Sequence, residues 1–141
     1  MRLKNYMYRE SSSPIASPIV VAPKATHPFI RICGDYTWLN IYLLSLNFPI
    51  PHVQQQLEKI CKYKVFLDLD MTNSFHQIPI SNRTSAMLSV VTPIGQFEPM
   101  FLPEGIPPAS QILQRTLSEI FYDFLDWMIV IFDNFLILAI I

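Results

Sequence analysis

Apolar residues along this chain change their period several times, and each change predicts an element. Between Pro51 and Cys61 the apolar residues Val53, Leu57, Ile60 and Cys61 recur at helical spacing, with Pro51 placed to open the first turn. A second helix is predicted from Ala109 to Leu125, where Ile112, Leu113, Leu117, Ile120, Phe121, Phe124 and Leu125 keep that spacing behind Pro107 and Pro108. Lys64 to Asp70 alternates instead, with Val65, Leu67 and Leu69 on one face and Phe66, Asp68 and Asp70 on the other. That pattern predicts a buried strand ending in acids. Ile19 to Val21, short and flanked by Pro18 and Pro23, suits an edge strand, and Phe29 to Cys33 is a second candidate. Irregular Pro and Gly from Pro79 to Pro103, with β-rich runs such as Leu88 to Thr92, predict short strands and loops. No long repeat is present, and SSSPIASP at 11–18 reads as an extended entry loop.

The last segment, WMIVIFDNFLILAII from Trp127 to Ile141, holds two apolar runs separated by Asp133 and Asn134. A membrane span of about 20 residues has to start near Phe121, which draws Asp123, Asp126, Asp133 and Asn134 into hydrocarbon. A central Asp alone costs roughly 2.5–3.5 kcal/mol there. A hairpin turning at Asp-Asn avoids that cost and is the favoured reading.

Composition narrows the class. The 141 residues are 51% apolar and 15% charged, which fits one domain and excludes an intrinsically disordered chain. Cys33 and Cys61 cannot build a disulfide framework or a Cys-rich zinc site and read as reduced thiols. MRLKNYMYRE lacks the apolar core of a signal peptide, so an intracellular, cytoplasmic location is expected, the nucleus being the second compartment. The net charge of −1 hides an asymmetry. Residues 1–64 hold eight Lys/Arg against three acids, a net +5, while 65–141 hold two against eight, a net −6. A basic half facing phosphates beside an acidic half binding metal fits that split, as does a chance asymmetry of solvated faces.

Two acids stand at special points, Asp70 at the end of a strand and Asp133 at a hairpin tip. If those strands are neighbours, both carboxylates meet at one sheet edge. Hard divalent ions take oxygens from one or two carboxylates and from substrate phosphates, so the pair suits nucleotidyl transfer. Solvated or capping acids are the alternative. His52 and His76 lack Cys or Asp partners at ligand spacing, and the scattered Met residues read as core filler.

Six blocks in order carry a resemblance: SPIASPIVVAPK (Ser13 to Lys24), RICGDYTWLN (Arg31 to Asn40), FPIPHVQQQLEKI (Phe48 to Ile60), VFLDLDMTNSFHQIPI (Val65 to Ile80), GQFEPMFLPEGIPPAS (Gly95 to Ser110) and VIFDNFLIL (Val130 to Leu138). Together they resemble the reverse transcriptase domain of gypsy-type LTR retrotransposons, part of a Pol polyprotein. The resemblance implies an α+β fold, a partial right-hand polymerase with fingers and an incomplete palm. Residues of about 11–62 and 79–106 would be fingers-like, and about 63–78 and 107–141 palm-like, within one partial domain. The implied activity is RNA-directed DNA synthesis with two Mg²⁺ ions, on an RNA or DNA template-primer with deoxynucleoside triphosphates. The remainder of a Pol polyprotein is the implied partner, and no stable membrane partner is expected.

Residue by residue, Asp70 matches the first metal-binding aspartate and Asp133 the first aspartate of the Tyr-x-Asp-Asp hairpin. Phe75 matches the aromatic residue that excludes a 2′-hydroxyl, although large aromatics also serve as plain core. Arg31 matches a triphosphate-binding arginine, a task suited to a guanidinium fork, and Lys24 lies near the fingers lysines. Both also read as surface charges.

The departures have consequences too. Ile131 replaces the hairpin tyrosine, and Asn134 stands where a second catalytic aspartate is usual, offering a neutral carbonyl oxygen and no charge. The Phe-Asp-Asn turn with Pro103 to Gly105 looks like a variant found in a subgroup of these elements. Asp68, two residues from Asp70 on the same strand face, is a possible substitute charge. Met87 and Thr37 replace a lysine and an arginine usual in the family. The resemblance stops shortly after the hairpin, so the chain is expected to be inactive alone. Weak nucleic-acid binding by a non-enzymatic remnant, or a membrane association through 121–141, are the alternatives.

Overall fold

The computed structural model describes residues 7–25, 27, 29–44, 46, 48–49 and 53–140. Pro51 and His52, including the helix start expected at Pro51, lie outside the described residues. The chain divides into two compact units, Met1–Leu44 with Phe75–Ala109 and Ser45–Ser74 with Ser110–Ile141.

The first unit is built on a five-stranded sheet of order β1-β6-β5-β2-β3. Its strands are β1 (Tyr8–Glu10), β2 (Ser17–Pro23), β3 (Ile30–Gly34), β5 (Val90–Thr92) and β6 (Gly95–Pro99). The prolines around Ile19 to Val21 predict an edge strand, yet β2 lies between β5 and β3. The arrangement is tolerated because β2 meets β5 only at Ser17 and Pro18, so the N–H missing from Pro18 and Pro23 costs little pairing. Two short helices, α1 (Thr37–Asn40) and α3 (Asn82–Met87), belong to this unit. α3 occupies a stretch expected to hold only strands and loops. Its signal is Ser81, whose hydroxyl accepts from the Thr84 N–H as an N-cap. Tyr36, Leu39, Leu88, Val90, Phe97, Leu102 and Ile106 are among the buried apolar residues of this unit.

The second unit carries a three-stranded antiparallel sheet of order β4-β8-β7, formed by β4 (Val65–Asp70), β7 (Met128–Ile131) and β8 (Asn134–Ala139). Helix α2 (Val53–Ile60) precedes it, and α4 (Ala109–Ile120) supplies Leu113 and Leu117 as buried residues. Lys59 on α2 donates to the Leu125 and Met128 carbonyls, and its burial lowers the affinity of the amine for its proton. α4 starts at Ala109 as the two prolines predict but stops five residues short of Leu125, giving way to a 3₁₀ turn at Tyr122–Phe124. The apolar stripe overshoots because Ile120 and Phe124 are exposed.

Two further expectations need correction. β4 forms as a strand ending at Asp70, but all six of its residues are exposed, so neither of its faces is covered among the described residues, whereas β7, the other outer strand of the sheet, is mostly buried. The final segment is the favoured hairpin, yet its turn is Phe132–Asp133, and Asn134 already belongs to β8 opposite Ile131. No helix among the described residues is long and apolar enough to cross a membrane.

Candidate functional site: an acidic edge on the three-stranded sheet

Asp70 is the last residue of β4, and the antiparallel register sets it opposite Asn134, the first residue of β8. Asp133 therefore sits one residue beyond the ladder, at the same end of the sheet as Asp70. The Met71 N–H donates to the Asp133 carbonyl at 2.7 Å, extending the pairing one residue past Asp70 and as far as Asp133. Asp70 is exposed and Asp133 half-buried. Neither carboxylate enters an ion pair among the described residues.

The turn that carries Asp133 is held from α4. Phe132 takes a positive φ of 54°, a conformation that costs a non-glycine residue about 1–3 kcal/mol. Its N–H donates to the Gln114 Oε1 at 2.8 Å, while the Gln114 Nε2 donates to the Val130 carbonyl at 2.9 Å. Gln114 is a residue that sequence reasoning missed. Its signal was a polar side chain three residues before Leu117 and seven before Phe121, inside the apolar stripe. The Asn134 Nδ2 donates to the Asp133 Oδ1 at 3.2 Å, so the side chain in the usual second-aspartate position shares its neighbour's oxygen. Asp68 is exposed and faces Leu136 in the register, not the hairpin turn.

The remaining candidate residues lie in the first unit. Arg31 is on β3 and pairs with Glu104 at 3.0 Å. Both side chains are more than a third exposed, so the bond holds the guanidinium with a net stabilisation of only about 0–1 kcal/mol. Lys24 is exposed just past β2, where its N–H donates to the Phe29 carbonyl. Phe75 is half-buried in a 3₁₀ turn, Ser74–Gln77, which follows Asn73 at a positive φ of 51°. His76 shares that turn. Cys33 and Cys61 are free thiols, and burial together with Glu104 raises the Cys33 thiol above its usual range against the opposing charge of Arg31.

Among the described residues no cluster of three or more His, Cys, Asp or Glu side chains is placed to hold a metal ion. A donor set of two carboxylates at one strand end still fits Mg²⁺, which keeps several waters and takes one or two protein carboxylates plus substrate phosphates.

No protein-family model matches the chain. It is 32% identical over 122 residues to the retrovirus-related Pol polyprotein from transposon opus of Drosophila melanogaster, covering 84% of this chain and 12% of that protein. It is 31% identical over 136 residues to the transposon Tf2-7 polyprotein of Schizosaccharomyces pombe, covering 96% of this chain and 10% of the polyprotein. The chain is a homologue of retrotransposon Pol polyproteins. It spans about a tenth of their length.

The fold agrees. The foamy viral protease-reverse transcriptase solved with double-stranded DNA matches with a TM-score of 0.83 at 18% identity, over 95% of this chain and 23% of that one. The same viral protein solved with an RNA/DNA hybrid matches with a TM-score of 0.78 at 17% identity, over 96% of this chain and 18% of that one. This Pol homologue thus has the α+β fold of part of a right-hand polymerase, as the six sequence blocks imply.

Proposed function

We propose that this chain is the fingers and partial palm of a gypsy-type reverse transcriptase, whose inherited reaction joins a primer 3′-oxygen to the α-phosphorus of a deoxynucleoside triphosphate and expels pyrophosphate. The observation that carries the reading is the register that brings Asp70 and Asp133 to one end of the β4-β8-β7 sheet. Asp70 and Asp133 are the residues that would hold Mg²⁺. Two such ions, when bound, activate the 3′-hydroxyl and stabilise the leaving pyrophosphate. Arg31, held among the described residues by an exposed ion pair, can exchange Glu104 for a triphosphate at small energetic cost, and to a triphosphate a guanidinium offers a bidentate fork. Phe75 would discriminate against a ribose 2′-hydroxyl, and Lys24 would add positive charge beside the triphosphate. Asn134 gives the site one charge fewer than two aspartates would, which lowers activity without removing the reaction class.

In this reading residues of about 11–62 and 79–106 act as fingers and about 63–78 and 107–141 as palm. The work is intracellular, on a template-primer of RNA or DNA. The chain spans about a tenth of the length of the Pol polyproteins it matches, so the reaction is tested within a longer polyprotein. The test is primer extension by a chimera in which the chain replaces the matching stretch of the Tf2-7 polyprotein. Extension by the chimera is expected to fall by at least about a thousandfold in Asp70→Asn or Asp133→Asn, the loss of several kcal/mol of charge stabilisation. Extension unaffected by either substitution contradicts the assignment.

A second reading, a non-catalytic remnant that binds nucleic acid through its basic half, is favoured by the net +5 of residues 1–64 and by Asn134. It predicts strongly salt-dependent binding and no extension by the chimera.

A further inference from the structure

We infer that Gln114 is a positioning residue that sets the conformation of the Phe132–Asp133 turn and with it the presentation of the Asp133 carboxylate; the functional importance of that presentation rests on the reading above. The argument begins with the sheet. β7 is an outer strand, and among the described residues its one strand partner is β8. Successive residues of a strand direct their backbone groups to opposite sides. Ile131 pairs with Asn134 across the two-residue turn, so the Val130 carbonyl and the Phe132 N–H face away from β8, where no strand receives them.

Gln114 receives both. Its Nε2 donates to the Val130 carbonyl at 2.9 Å and its Oε1 accepts from the Phe132 N–H at 2.8 Å. The side chain acts as one peptide unit of a missing neighbouring strand. Among side chains, a carboxamide supplies an acceptor and a donor rigidly side by side, the combination that two backbone groups of opposite polarity require. Gln114 is only 1% exposed, so water cannot substitute for it. A second bond, from Nε2 to the Ser118 hydroxyl at 3.3 Å, ties the amide one turn along α4 and fixes which end points at Phe132.

The placement coincides with the strained residue. Phe132 has its φ at 54°, and the N–H held by Gln114 belongs to that same residue. Nothing in the turn sequence selects this geometry, since Asp133-Asn134 offers better turn chemistry one position later. The bond from α4 selects the earlier turn, and the earlier turn puts Asp133 outside the ladder and Asn134 within it. Were the turn to slip by one residue, Asp133 would change faces along the strand.

The test uses the full 141-residue chain, labelled for NMR. In the unsubstituted chain a scalar coupling across the hydrogen bond is expected between the Phe132 amide nitrogen and the Gln114 side-chain carbonyl carbon; its absence overturns the inference even if no variant folds. Gln114→Leu is expected to speed Phe132 amide exchange by about tenfold or more, the cost of one lost buried hydrogen bond, while amides of the β4–β8 ladder stay within about twofold. Gln114→Glu keeps an acceptor for Phe132 and loses the donor to Val130, so it is expected to retain more Phe132 protection than the leucine variant. A folded Gln114→Leu chain with unchanged Phe132 exchange reduces Gln114 to core filling and overturns the inference. Mn²⁺ added to the same samples separates the two proposals. If Mn²⁺ broadens no signal near Asp70 or Asp133 in the unsubstituted chain, the metal reading fails, while the coupling and the exchange still decide the role of Gln114.

Discussion

The two sheets treat their polar groups in opposite ways. In the five-stranded sheet, buried polar side chains are bonded inward. Glu98 on β6 accepts from Arg9 and Ser11, the Ser89 hydroxyl donates to the Phe97 carbonyl, and the Gln96 amide donates to Ser89 and to the Ser13 carbonyl. In the three-stranded sheet, the acids lie at the end of an exposed outer strand and on a turn, with no cation paired to them among the described residues. Polar groups that hold a fold are satisfied internally, whereas polar groups that await a ligand are left at an edge. The contrast also separates stability from chemistry. Substitutions in the first kind of network should lower the stability of the fold, and substitutions at the acidic edge should spare it.

Matched leucines sharpen the comparison within one sheet. Leu138 on β8 is 2% exposed and Leu67 on β4 is 53% exposed. Leu138→Ala is expected to destabilise the chain by about 2–5 kcal/mol and Leu67→Ala by less than about 1 kcal/mol, both read from urea midpoints. Equal losses would mean that β4 is buried in solution by something that covers it.

A smaller effect is expected in the first unit from Gly34→Ala. A β-carbon built there lies 2.6 Å from the Tyr36 ring, which is 1% exposed and whose phenol donates to the Leu88 carbonyl at 3.0 Å. Burial raises that phenol above its usual pKa, so it stays a donor across the neutral range. The ring cannot swing away without breaking its bond, and overpacking of this kind costs about 1–3 kcal/mol in thermal or urea unfolding.

The smallest effect is a pH dependence. Burial pushes the Glu98 carboxyl up, but hydrogen bonds from Ser11 and Arg9 and the charge of Arg9 bring it below its ordinary value of 4.5. A carboxyl depressed in the folded state contributes stability that is complete above the ordinary value and is lost as pH falls through the folded one. Glu98→Gln is therefore expected to lower the urea midpoint at neutral pH and to converge with the unsubstituted chain in acid. A difference that persists in acid assigns the effect to packing instead.

Much of this was legible in the sequence, and the failures share a cause. Helical spacing found α2 and α4, and alternation found β4 and placed Asp70 at its end. The resemblance named both acids, and the register brings them to one sheet end. Local pattern could not reveal that β4 is an outer strand or that β2 is an inner one, because strand order is set by pairings distant in sequence. The turn was misplaced by one residue for the same reason. Asp-Asn is the better local turn, and a glutamine eighteen residues upstream of Phe132 overrides it. α3 went unseen because its six residues are too few for apolar spacing to register.

The central claim is that Asp70 and Asp133 act together on a divalent cation. The most direct measurement is the paramagnetic broadening of backbone signals on titration of the full chain with Mn²⁺. Broadening is expected first at Asp70, Met71, Asp133 and Asn134, and it should disappear in Asp70→Asn and in Asp133→Asn, each of which should remain folded. Broadening that survives both substitutions, or that begins elsewhere on the acidic half of the chain, would contradict the account.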